Sequence, residues 1–270
     1  MSSDTAYLEL VLEPIKACAH YKPKFGQGAR GVGLTLEQFR ELYRKDSFYS
    51  WFGLDNPMMY AAHKAAGGMT SVYRQIGTGC ERLFRAVLKD SLGLADADVV
   101  WSYEVSLPTG KTQTLHLDGR IPLDKIPDQA KRERLRVWME ESSKAIGVER
   151  SVISNLTGVI FEVRQGYKSK DAKRQNADIA NAATAYAKAY LPCAVVLSGP
   201  IDNDILSRYR MARWIVLTGA KDDKDASTST YAFMRDVIGY DLAAFFERNS
   251  KTLRAEIESV LKALLAPEAT

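Results

Sequence analysis

The stretch that most constrains this chain runs from residue 158 to residue 199. GVIFEVRQGY, residues 158–167, is dense in β-branched and aromatic residues and reads as a strand. DAKRQNADIANAATAYAKAYL, residues 171–191, is alanine-rich and free of glycine and proline, so it reads as a helix. PCAVVLSG, residues 192–199, is a short apolar strand that reads as buried. A strand, a helix and a second strand in immediate succession form a crossover that returns the chain parallel to itself. That predicts an α/β fold with a mixed central sheet flanked by helices.

The 270 residues sit at the upper edge of what one hydrophobic core supports. We therefore expect a single domain over 1–270, with an α/β core at 71–220, a helical N-terminal elaboration at 1–70 and C-terminal helices at 221–270. Apolar residues make up 46% and charged residues 26%, which excludes wholesale disorder, collagen-like repeats and long coiled coil. No apolar run approaches the roughly 20 residues of a membrane span. The start, MSSDTAYLELVLEP, lacks a basic n-region and cleavage site, so the expected location is cytoplasmic, away from any membrane. Cys18, Cys80 and Cys193 are odd in number and without CxxC spacing, and read as buried free thiols.

Before the core, a helix is expected near residues 5–18. YKPKFGQGARGVG, residues 21–33, follows as a glycine-rich loop with Lys22, Lys24 and Arg30. It matches neither GxGxxG nor GxxxxGK[ST], so no nucleotide cofactor is expected; it is either a plain loop or one that clamps a polyanion. Thr35 and Gln38 have the spacing of a capping box and start a helix. FYSWFGL, residues 48–54, reads as an aromatic packing plug. A helix is predicted over 71–94, then a hairpin of VVWSYEV (99–105), the turn PTGK (108–111) and TQTLHLDGRI (112–121). A helical insertion at 124–147 precedes the crossover. A strand at 214–219 and helices at 230–248 and 251–265 close the chain.

Two acids stand out. Asp118 interrupts an apolar strand arm, and Glu162 lies mid-strand between Phe161 and Val163. Strand periodicity places Glu162 and Arg164 on one face. The plain reading is an edge strand with a wet face. The functional reading is that one carboxylate from each of two adjacent strands supplies the oxygen ligands of a hard divalent cation. Between residues 164 and 174 five basic side chains stand against Asp171 alone, the electrostatic footprint of either a solvated face or a nucleic-acid contact.

The order helix, strand, strand with Asp118, strand with Glu162, helix, strand covers about residues 71–200 and resembles the core of the PD-(D/E)XK nucleases. EVRQGYKSKDAKRQNADI resembles the core of a bacterial type II restriction endonuclease. The resemblance implies a restriction-endonuclease-like core that binds Mg2+ through Asp118 and Glu162, with Glu81 as a further acid on the preceding helix. Glu81 also reads simply as an acid favoured at a helix start. Asp118 is followed by Gly119 rather than preceded by proline, and the position of the family's lysine is held by Arg164. Arginine stabilises charge on a phosphate but cannot act as a base, so Lys168 or Lys170, of the same strand parity, could substitute. The implied activity is cleavage of double-stranded DNA at a short specific site by a homodimer. A non-specific repair or recombination nuclease and a non-catalytic DNA-binding protein are the alternatives.

Lys168, Ser169, Lys170, Lys173, Arg174, Gln175 and Asn176 carry donors suited to phosphates and base edges. Their other reading is a solvated helix start capped by Ser169 or Asp171. Arg208, Arg210 and Arg213 are open to the same two readings. His116 reads as a hydrogen-bonded structural residue, and Tyr186 and Tyr190 as packing at i and i+4. If Lys173 and Arg174 touch phosphates, Lys173→Ala/Arg174→Ala flattens the slope of log K against log salt for duplex DNA by about one to two units. An unchanged slope in a salt titration identifies a solvated helix start.

Overall fold

The computed structural model describes residues 3–26, 31–106, 112–166 and 172–266. The chain divides into two compact units, Met1–Gly79 with Arg248–Thr270, and Cys80–Glu247. Among the described residues, no helix is long and apolar enough to cross a membrane.

The first unit is helical. It contains α1 (Ser3–Lys16), α2 (Leu36–Arg44), α3 (Ser47–Trp51) and the first part of α4 (Pro57–Leu92). The predicted capping box starts α2: Thr35 Oγ1 accepts from the Gln38 amide at 3.3 Å, and Gln38 Oε1 accepts from the Thr35 amide at 3.0 Å. Helix α4 begins well before the expected residue 71. Pro57 occupies its first turn, where no amide is needed, and Asn56 Oδ1 accepts from the Met59 amide at 3.0 Å. The Gly67-Gly68 pair, which argues against a helix by propensity, is required by packing. A Cβ at Gly67 would lie 2.1 Å from the Tyr21 hydroxyl, and one at Gly68 2.5 Å from Leu264. The aromatics expected as a plug are a correction: Phe48, Trp51 and Phe52 are 59%, 82% and 67% exposed. Asp46 caps α3 by accepting from the Phe48 and Tyr49 amides, but five residues are too few to bury a face.

The second unit is α/β. β1 (Trp101–Ser106) pairs antiparallel with β2 (Thr112–Leu117), and a separate mixed sheet has the order β3-β4-β5-β6. β3 (Gly119–Pro122) runs antiparallel to β4 (Gly158–Arg164), whereas β5 (Tyr190–Val196) and β6 (Ile215–Leu217) continue parallel. The arm expected to run unbroken over 112–121 is thus divided at Asp118. Helices α5 (Gln129–Ala145) and α6 (Arg150–Ile153) lie between β3 and β4, and α7 (Ala172–Ala187) makes the predicted crossover to β5. α8 (Asn203–Met211) precedes β6. α9 (Thr230–Ala232) runs into a π turn, Phe233–Ile238, and α10 (Leu242–Leu265) follows, its residues from Arg248 onward belonging to the first unit. The break expected near residue 250 falls instead at Gly239, whose φ of 90° only glycine adopts freely, and Asp241 recaps the chain through the Ala244 amide at 2.9 Å.

Phe161 of β4 anchors the core, its ring 5.1 Å from Phe84 and 5.9 Å from Phe233. All three cysteines are buried free thiols. Burial pushes the Cys80 thiol up to about 12 and that of Cys193 well above its ordinary value, so neither is reactive at neutral pH. Backbones approach closely at the β3–β4 pair, where a Cβ on Gly158 would lie 2.2 Å from the Ile121 carbonyl oxygen. Gly158→Ala therefore forces the strands apart and lowers stability by about 1–3 kcal/mol in urea unfolding. A neutral result would mean that the backbone absorbs the methyl group without separating the pair.

Candidate active site

Asp118 lies where the returning arm leaves the hairpin for the sheet. Its amide donates to the Phe161 carbonyl at 2.9 Å, and its Oδ2 accepts from the Val163 amide at 2.8 Å. Its carbonyl accepts from Arg85 Nη1, on α4, at 3.1 Å. The register ends with Gly119 opposite Phe161, and Asp118, between β2 and β3, is bonded to Phe161 and Val163, the residues that flank Glu162.

Glu162 is 6% exposed and forms an ion pair with Arg164, which is 8% exposed. Their shared face follows strand parity, but the plain reading of an edge strand with a wet face fails. β4 lies between β3 and β5, and each of its residues is buried. Ile160, on the same face, belongs to a cluster with Trp101, Tyr103, Leu117 and Ala185. Tyr103 was not singled out in the sequence, yet it bears on the site. Burial raises its phenol above the ordinary range, a hydrogen bond with Thr184 opposes this, and the nearby charge of Glu162 raises it further. Its hydroxyl also donates to Asn181 Oδ1. The available signal was parity, since Tyr103 alternates inward with Trp101 on β1.

The other candidates separate. Glu81 is one turn before Arg85 on α4 and so on the same helical face. Among the described residues, no group of three or more His, Cys, Asp or Glu side chains is placed to hold a metal ion, so Glu81 does not close on the pair in this conformation. His116 is exposed and lies opposite Ser102. Lys168, Ser169 and Lys170 lie outside the described residues. Lys173, Arg174, Gln175 and Asn176 fall in the first turns of α7, and their side chains lie outside the description. Arg213 caps α5 by donating to the Ile146 carbonyl, and its own carbonyl accepts from the Tyr186 hydroxyl at 2.6 Å. Tyr186 thus does more than pack.

No family model, curated protein or solved structure matches the chain.

Asp118 and Glu162 are the two carboxylates that would hold a hard cation such as Mg2+, which takes one or two protein carboxylates together with waters and phosphate oxygens. The buried Glu162 beside the buried Arg164 guanidinium also fixes the local electrostatics. Arg164→Met leaves the Glu162 carboxylate buried without its cation and lowers stability by about 3–5 kcal/mol in denaturant unfolding. Glu162→Gln/Arg164→Met recovers most of that loss. A single variant as stable as wild type would show that the pair does not balance the buried charge.

Proposed function

We propose that this chain is a magnesium-dependent endonuclease that cleaves double-stranded DNA at a short specific site and acts as a homodimer, in the manner of type II restriction endonucleases. One observation carries the reading: Asp118 is bonded to β4 on both sides of Glu162, which pairs with the Arg164 guanidinium. The succession α4, β1, β2 with β3, β4, α7, β5 supports it, because the same succession carries the resemblance to the PD-(D/E)XK nucleases.

In this reading Asp118 and Glu162 hold Mg2+. When bound, the ion polarises a phosphate oxygen and lowers the pKa of its water. The Val163 amide fixes one carboxylate oxygen of Asp118, so the ligand is oriented before substrate arrives. Arg164 carries a permanent charge and offers donors to negative charge developing on the phosphate, but it takes up no proton. A neutral amine, Lys168 or Lys170, is the candidate that orients or deprotonates water. The basic residues from Lys168 to Asn176 would lie along the DNA backbone.

A second reading, a DNA-binding protein whose acids are structural, is favoured by the burial of both partners in the Glu162–Arg164 pair. Incubation of purified protein with plasmid and magnesium separates the possibilities. Discrete fragments support the proposal, a smear indicates a non-specific repair or recombination nuclease, and intact DNA indicates a non-catalytic protein. Asp118→Ala and Glu162→Ala are each expected to abolish cleavage while duplex binding in calcium persists. Wild-type turnover in either variant removes that residue from the site.

A further inference from the structure

The first unit holds an open cleft of about 960 Å³, toward the upper end of the range of about 300–1,000 Å³ found for sites that take small organic ligands. Its walls are largely rings. Phe25, Tyr43, Phe48, Tyr49 and His63 line it, whereas aliphatic lining is limited to such residues as Leu42 and Ala66. The Tyr43 and Tyr49 rings lie 5.2 Å apart and within 22° of parallel. Phe25 takes a φ of 40°, a conformation that side-chain-bearing residues rarely adopt, and its ring lies 4.8 Å from His63. Phe48 and Tyr49 remain 59% and 40% exposed in spite of their size.

Ring walls of this kind accept two classes of ligand, a quaternary ammonium ion or a flat ring. Charge decides between them. Lys24 and Lys45 line the cleft, and among its described lining residues Asp46 is the one acid. The Asp46 carboxylate accepts the Phe48 and Tyr49 amides as the cap of α3. Glu41 pairs with Lys45 at 2.7 Å, but both side chains are well exposed, and a pair of that kind exchanges readily for a phosphate. A cationic ligand would meet two ammonium groups, whereas an anionic one would be attracted.

We propose that this cleft binds a purine or pyrimidine ring by stacking, with Lys24 and Lys45 as partners of the attached phosphate. The ring comes from a free nucleotide or from an unpaired base of a strand. The site is independent of the metal-binding reading of Asp118 and Glu162, and it is tested without divalent ions.

The test uses the full chain in EDTA, with a short labelled single-stranded oligonucleotide, a duplex of the same sequence and deoxyadenosine monophosphate as probes. The single strand is expected to outbind the duplex, whose base faces are covered. Tyr49→Leu and Phe48→Ala should each weaken it about five- to a hundredfold, while Tyr49→Phe keeps affinity. Both sites are at the surface, and a thermal unfolding scan verifies that the variants fold. Lys45→Ala should flatten the salt dependence by about 0.7 in log K against log salt. Tight, variant-sensitive binding of the mononucleotide assigns the cleft to free nucleotides, and binding of the strand alone assigns it to unpaired nucleic acid. Unchanged affinity in Tyr49→Leu and Phe48→Ala overturns the proposal. So does uptake of the neutral apolar dye Nile red that neither nucleotide nor strand displaces, which would mark an apolar docking surface. Because no cleavage is read, loss of the nuclease reading leaves this result intact.

Discussion

The bond from the Val163 amide to the Asp118 carboxylate is the joint of the α/β unit. It fixes the point at which one chain segment stops pairing with β1 and starts pairing with β4, and it does so with the side chain that the candidate site needs. A strand can change partners only where its backbone groups find new ones, because a buried amide left unpaired costs about 1–3 kcal/mol. Here the Asp118 amide goes to Phe161 and its carboxylate to Val163, so both bonds land on β4, on either side of Glu162. Strand pairing and carboxylate placement are therefore set by one residue.

Buried charge is the second organising constraint. An ionised acid survives at 6% exposure only beside a compensating charge, and Arg164 provides one that no change of pH in the working range removes. Arginine rather than lysine has a physical meaning at this depth. A buried lysine could lose its proton and leave Glu162 uncompensated, whereas a guanidinium stays charged. Permanent compensation comes with the loss of a potential base, which any chemistry at the site must find elsewhere.

What could be read in the sequence follows from how local the cause is. The crossover over 158–199, the capping box at Thr35 and Gln38, and the shared face of Glu162 and Arg164 depend on neighbours a few residues apart, and all of these appear in the fold. The failures have distant causes. Gly67 and Gly68 lie inside a helix because Tyr21 and Leu264 press against them, and nothing nearby in the chain announces those partners. β4 looked half wet because Glu162 and Arg164 are charged, but they neutralise one another and let the strand be covered on both sides. The division at Asp118 needed knowledge of β4, and the exposure of Phe48, Trp51 and Phe52 was hidden by the usual fate of large rings. At the site, Asp118 and Glu162 were legible because acids in apolar strands are conspicuous. Tyr103 was not, since an inward tyrosine on a strand looks like ordinary packing.

Both borders of the four-stranded sheet are short. β3 has four residues and ends at Pro122, with its Arg120 amide already bonded to the Val99 carbonyl, and β6 has three residues. Unpaired strand borders are templates on which other chains can grow, and brevity, proline and prior occupation are the means by which proteins blunt them. The sheet therefore offers neither a long ladder for aggregation nor a continuous seam across two copies. Another chain that met this sheet at either border would find few backbone groups to pair with.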